Sequence, residues 1–122
     1  MTLRLLAGRY AVCRLGSDAP FPAWAAGAFV SVTRTAGELS VVCDAAAVPG
    51  GVRHVAGWCC LQVEGPLDLA MTGVMASLAG PLAAAGVSLF AVATYDTDYV
   101  LVREADLSVA RDALEAAGHA VV

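Results

Sequence analysis

At 122 residues the chain falls within the range of one compact domain. A composition that is 59 % hydrophobic and only 15 % charged excludes a disordered segment, and it exceeds the apolar share usual in soluble domains, which points to surface buried against a second copy. The net charge of −4, with seven scattered arginines and no lysine, leaves no basic stripe to follow a phosphate backbone, so nucleic acid is excluded as a partner.

The N-terminal MTLRLLAGRY has too short an apolar patch for a signal-peptide core, which implies a cytoplasmic address. Residues 3–15 read as strand, with Tyr10 and Val12 on it and a turn or bulge at Gly8. After GSDAPFP, the segment AWAAG suits one or two helical turns stopping at Gly27. Phe29–Val32 and Leu39–Val42 flank Ala36-Gly37 and predict a hairpin. DAAAVPGG allows one helical turn, and VRHVAGWCCLQVEG resumes strand until Gly65-Pro66. By strand parity Cys59, Leu61 and Val63 share one face, while Cys60, Gln62 and Glu64 share the other, so one of the adjacent cysteines points inward and one outward.

From Leu67 to about Ala85, the spacing of Leu67, Met71, Val74, Met75, Leu78 and Leu82 predicts a core-facing helix. Gly73, Ala76, Gly80 and Ala84 form an opposite face of small residues that also reads as buried, and Gly80-Pro81 predicts a kink or a division. Residues 69–95 carry no charge and are long enough to span a bilayer. The Ala and Gly content, the breaks at Gly80-Pro81 and Gly86, and the later change to strand period argue instead for a buried helix followed by a strand. VSLFAVATY and DYVLVR predict a second hairpin. Asp106 or Ser108 can cap a helix through Leu107, Ala110, Leu114 and Ala117, with Arg111, Asp112 and Glu115 in water and Gly118 as its stop, before a last strand at HAVV.

The tip of the second hairpin, Thr94 to Thr97, followed by Asp98, invites three readings: a turn held by short polar side chains, the edge of a ligand pocket, or an acidic metal or acid–base site using Asp96 and Asp98. No supporting ligand pattern accompanies those aspartates. Cys13, Cys43, Cys59 and Cys60 form no CxxC pair and lack histidines at zinc-finger spacing, so they read as reduced structural cysteines, and neither metal nor cofactor is expected.

Residues 59–122 thus run β-α-β-β-α-β, and the hairpin Phe29–Val42 aligns with Leu89–Val102 at an offset of sixty, pairing Val30 with Phe90 and Glu38 with Asp98. This predicts an α+β, ferredoxin-like fold: a degenerate tandem repeat, with halves at 1–58 and 59–122 and an antiparallel sheet covered by helices on one face. The block VEGPLDLAMTGVMASLAGPLAAAGVSLFAVATYDTDYVLV resembles ACT domains, in particular tandem proteins related to aspartate-kinase regulatory domains and to cytosolic arginine sensors. The resemblance implies a non-catalytic regulatory sensor. It would bind a small effector, an amino acid, at an ACT–ACT interface, as a homodimer acting on a protein partner.

Carried onto this chain, the resemblance places the ligand against Gly65, Leu67, Asp68, Met71, Thr72 and Gly73 at the first helix, and against Phe90, Ala91, Thr94, Asp96 and Thr97 on the next strand and its tip. A helix starting after Gly65-Pro66 would offer free N–H groups to a carboxylate. Asp68 would either cap that helix or hold the ligand's ammonium or guanidinium. Two other readings compete: a homodimeric protein-interaction module with a degenerate ligand site, and a cysteine-dependent enzyme built on Cys59-Cys60.

Overall fold

The computed structural model describes residues 1–122. In chain order the elements are β1 (Thr2–Leu5), β2 (Tyr10–Leu15), β3 (Ser31–Arg34), β4 (Leu39–Asp44), β5 (Arg53–Val63), α1 (Val74–Ala84), β6 (Leu89–Ala93), β7 (Asp98–Arg103), α2 (Leu107–Ala116) and β8 (Ala120–Val121), with 3₁₀ turns at Ala45–Ala47 and Glu104–Asp106. The chain divides into two compact units, Ala7–Trp58 and Met1–Leu6 with Cys59–Val122. The first six residues, assigned from sequence to the N-terminal half, therefore group with the C-terminal one. The cause is pairing: Leu3 lies opposite Val63 and Leu5 opposite Leu61 on β5, and β1 also runs parallel to β8. No helix is long and apolar enough to cross a membrane.

In the 7–58 unit, β2 pairs antiparallel with β4 on one side and with Arg53–Trp58 of β5 on the other, its register slipping between Tyr10 and Val12. β3 completes the sheet beside β4. One face is closed by Ala11, Cys13, Leu39, Val41 and Cys43, against which Trp24, Ala25 and Val48 pack. The helical turns expected at Ala23–Gly27 are a simple turn, closed by Ala25 N donating to Pro22 O at 3.0 Å. Tertiary contacts override the local helix preference there: Ala26 O accepts from Asp44 N at 2.8 Å, and Gly27, at φ +130°, sits so close that a Cβ would lie 2.9 Å from Asp44 Cβ. Asp44 then caps the following 3₁₀ turn, its Oδ1 accepting from Ala46 N at 2.9 Å.

The second unit carries β5, α1, β6, β7, α2 and β8 in the βαββαβ order, with β7 beside β5 and β6 at the edge beside β7. Both helices lie on one face. Leu78 and Leu82 of α1 and Ala110 and Leu114 of α2 share one buried cluster with Cys59, Leu61 and Val63 of β5, Val100 and Val102 of β7, and Leu3. The sheet is mixed rather than wholly antiparallel, because β8 pairs parallel with β1.

Several expectations change here. α1 begins at Val74, seven residues later than predicted, because Gly73 adopts φ 79° and ends the preceding loop. Pro81 does not divide the helix; the carbonyl it cannot bond, Ser77 O, meets His119 Nε2 at 3.0 Å instead. The small-residue face of Ala76, Gly80 and Ala84 is exposed within the chain. Gly86 and Gly118, both with positive φ, end the two helices with the expected backbone motif, Val87 N donating to Leu82 O and His119 N to Leu114 O. Asp106 stands at the α2 N-cap without a side-chain bond, and Arg111 is half-buried rather than in water.

The repeat between the hairpins is real, but its offset is 59, not sixty: Thr35 corresponds to Thr94, the last pair Arg34 with Leu39 to Ala93 with Asp98, and the 3₁₀ turn at Ala45 to that at Glu104. An odd offset also matches core to core, Val41 and Cys43 with Val100 and Val102. At an offset of sixty more apolar residues of the two hairpins coincide, but a slip of one residue on a strand exchanges its two faces.

All four cysteines are free and buried, including Cys60, which parity had sent outward; the helix-free face is covered there too. Burial, with the neighbouring Cys59 adding to it, pushes the Cys60 thiol up to about 12, and burial beside Cys43 raises Cys13 to about 11. These thiols are protonated at neutral pH and poor nucleophiles. A thiol reagent at pH 8 is therefore expected to label the native protein far more slowly than the denatured one. Because folding raises these pKa values, stability is full below about 9, the unfolded thiol value, and falls as pH rises from there toward 12. A denaturant midpoint unchanged between pH 8 and 11 would contradict this.

Candidate functional site

The site is built from two loops of the 1–6/59–122 unit. After β5 the chain passes a cis Gly65–Pro66 peptide and runs as a loop to the start of α1. Its counterpart is the tip of the β6–β7 hairpin. Thr94 and Thr97 close that tip on themselves: Thr94 Oγ1 donates to Thr97 O at 2.9 Å and Thr94 N donates to the same carbonyl. Thr97, 4 % exposed, also donates its hydroxyl to Val63 O at 2.6 Å, and Leu67 N donates to Asp96 O at 2.6 Å. The tip is thereby fastened to the end of β5 and to the loop. Gly65 suits this close junction, since a Cβ would lie 3.0 Å from Asp96 O, 3.1 Å from Leu67 N and 3.2 Å from Thr97 Cβ, so that the tip or the loop would have to give way.

Between the loops lies a cleft of about 300 Å³, lined on one side by Leu67, Asp68, Leu69, Met71, Gly73, Val74 and Met75 and on the other by Ala93 to Asp98. Seven of the residues expected at the site meet here: Leu67, Asp68, Met71, Gly73, Thr94, Asp96 and Thr97. Gly65 lies in an adjoining recess of about 370 Å³ with Gln62 and Pro66. Thr72, Phe90 and Ala91 do not line the cleft. Phe90 pairs with Leu101 and lies on the face opposite Leu89, Ala91 and Ala93. The sequence-based list of site residues lacked Leu69, Val74, Met75, Ala93, Tyr95 and Asp98. Asp98, at the first residue of β7, was visible in the same TYDTDY motif.

The chemistry of the two walls differs. At the start of α1 the N–H groups of Val74, Met75 and Ala76 have no carbonyl a turn back, and Gly73 supplies no capping side chain. The free N–H groups of a helix start thus lie at Val74 and not just after Pro66, where the sequence had placed them. Asp68 is no helix cap: its Oδ1 accepts from Ala70 N at 2.9 Å in a local turn. The cleft holds the carboxylates of Asp68, Asp96 and Asp98 and no basic side chain. Behind the tip, burial, then Cys60 and Asp96, raise the Tyr99 phenol, which stays neutral. No group of three or more His, Cys, Asp or Glu side chains is placed to hold a metal. The rim is apolar and wet: Leu69 is 68 % exposed, Met71 51 % and Tyr95 80 %.

Among curated proteins no match is found. Among solved structures, a protein from Agrobacterium tumefaciens matches at 42 % identity over 99 % of this chain and 91 % of its own, with a TM-score of 0.93. The regulatory subunit of aspartate kinase from Thermus thermophilus, in its ligand-free form, matches at 13 % identity over 92 % of this chain and 93 % of its own, with a TM-score of 0.64. Aspartate kinase from Clostridium acetobutylicum, described as an allosteric enzyme, matches at 10 % identity over 94 % of this chain, which spans 33 % of that kinase, with a TM-score of 0.71. The fold is thus that of aspartate-kinase regulatory regions. A model for an N-terminal domain matches residues 8–51, and the ACT domain model matches residues 53–116, more than half the length. The chain belongs to the ACT domain family.

Proposed function

We propose that this protein is a non-catalytic regulatory module that binds a small effector, an amino acid, in the cleft between the Leu67–Met75 segment and the hairpin tip. One observation carries the reading: the cleft sets unpaired helix N–H groups at Val74 to Ala76 near carboxylates at Asp68, Asp96 and Asp98, opposite partners for the two ends of a zwitterion. The names of the structural relatives, an allosteric kinase and a regulatory subunit, support a regulatory role. A second copy of the chain closes over the apolar rim of Leu69, Met71 and Tyr95, making the site an ACT–ACT interface in a homodimer. The output passes to a partner protein or through changed assembly, in the cytoplasm, where buried thiols stay reduced.

A thermal-shift screen of the twenty amino acids tests it. At a hundredfold excess over its dissociation constant, the effector is expected to stabilise the fold by about 2.7 kcal/mol. No shift with any of them at millimolar concentration would contradict the proposal. The exposed rim and the exposed small-residue face of α1 favour a second reading, a homodimeric interaction module without effector. Such a module would sediment as a dimer and shift with none of the amino acids.

A further inference from the structure

One register row of the 7–58 sheet gathers hydrogen-bond donors across four strands. Thr33 of β3 lies opposite Ser40 of β4, Ser40 opposite Arg14 of β2, and Arg14 opposite Arg53 of β5. Residues directly opposite in antiparallel strands share a face, so these four side chains stand together, on the side away from Cys13, Leu39 and Val41. Thr33, Arg14 and Arg53 are exposed and Ser40 is half-buried. Arg14 and Arg53 are thus a like-charged pair directly across two strands, an arrangement that strand pairing by itself disfavours.

The fold does not compensate this pair. A guanidinium carries five N–H donors. Arg14 bonds only backbone, its Nη2 donating to Gly37 O at 3.0 Å and its Nη1 to Leu15 O at 3.5 Å, and Arg53 donates to nothing in the chain. Glu38, two residues beyond Ser40 on the same face, forms no ion pair with either. Charge is also unevenly shared: four arginines against three carboxylates leave the 7–58 unit at +1, while three against eight leave the other at −5. An oxyanion supplies what the row lacks. Two facing guanidinia match the dianion of a phosphate monoester better than a single carboxylate, and their planar forks bond phosphoryl oxygens in pairs. Ser40 and Thr33 continue the row with hydroxyl donors on strands about 4.8 Å apart, within reach of a second phosphoryl group.

We propose that the Arg14–Arg53 row is a binding site for a small phosphorylated molecule, its phosphoryl dianion held between the two guanidinia and a second phosphoryl group, where the ligand has one, on Ser40 and Thr33. The site belongs to the 7–58 unit and does not depend on effector binding in the cleft. The test is calorimetry on the full chain at low ionic strength, where exposed charges are least screened, with pyrophosphate, glucose 6-phosphate and inorganic phosphate as probes and acetate and glucose as controls. Pyrophosphate is expected to bind most tightly, and glucose 6-phosphate about tenfold or more tighter than acetate. Arg53→Gln is expected to weaken pyrophosphate binding about tenfold or more, and, because Arg53 bonds nothing else, to melt no lower than the native protein when no ligand is present. Should that variant misfold, Arg14→Gln is expected to give the same loss of binding. Arg103→Gln removes the same charge from an exposed position of the other unit and is expected to change binding by no more than about twofold. Equal losses in the Arg53 and Arg103 variants overturn the placement. Acetate binding as tightly as pyrophosphate overturns the choice of a phosphoryl group, and inorganic phosphate binding more tightly than both other probes overturns the phosphorylated molecule in favour of the free ion. Binding by none of the three phosphate probes at millimolar concentration overturns the site itself.

Discussion

Replacing Leu114 with alanine is expected to remove about 2–5 kcal/mol of stability, seen as a lower denaturant midpoint with far-ultraviolet circular dichroism retained below the transition. Leu114 is fully buried in the cluster where α2 meets the sheet, among Leu78 and Leu82 of α1 and Val100 and Val102 of β7. Deleting its isobutyl group loses the transfer free energy and leaves a cavity that two helices and a sheet cannot jointly collapse to fill. Against a total of about 5–15 kcal/mol for a domain, this is a large share. Leu69→Ala, at a residue 68 % exposed, is expected to change stability by no more than about 0.5 kcal/mol. Comparable losses at the two positions would contradict the assignment of the core.

Thr97→Val is the second large effect. Valine keeps the shape of the side chain and removes the hydroxyl that reaches Val63 O at 2.6 Å. With the site 4 % exposed, water has little access to the orphaned carbonyl, so the expected cost is about 1–3 kcal/mol, largely recovered in Thr97→Ser. The variant also reports on function. Thr97 fastens the tip that forms one wall of the cleft, so effector affinity is expected to fall even at temperatures where the protein is folded. A Thr97→Val protein with unchanged denaturant midpoint would show that the bond contributes nothing.

Much of this architecture was legible where one physical period dominates. The β3–β4 and β6–β7 hairpins follow from runs of β-branched and apolar residues around short polar turns, and α2 follows from Leu107, Ala110 and Leu114 with Gly118 after it. The start of α1 was not legible: Leu67 and Met71 share the three- and four-residue spacing of Val74, Leu78 and Leu82, and periodicity cannot register that Gly73 takes a left-handed conformation. Strand parity placed Cys60 away from the helix-facing cluster and yet failed on exposure, because parity says which face a residue occupies and not what covers that face.

The cleft was half legible for a related reason. Asp68, Gly73, Thr94, Asp96 and Thr97 stood out as turn and cap chemistry, whereas Ala93 and Met75 are ordinary strand and helix residues that become cleft residues only through the fold.

Effector binding in the cleft is tested most directly by amide chemical-shift mapping of the isotope-labelled protein during titration with the strongest stabiliser from the amino-acid screen. The predicted result is a saturable set of shifts concentrated at Leu67 to Ala76 and Ala93 to Asp98, with the amides of Val74 and Met75 among the largest. Saturable shifts concentrated elsewhere, with these two segments unmoved, would contradict it.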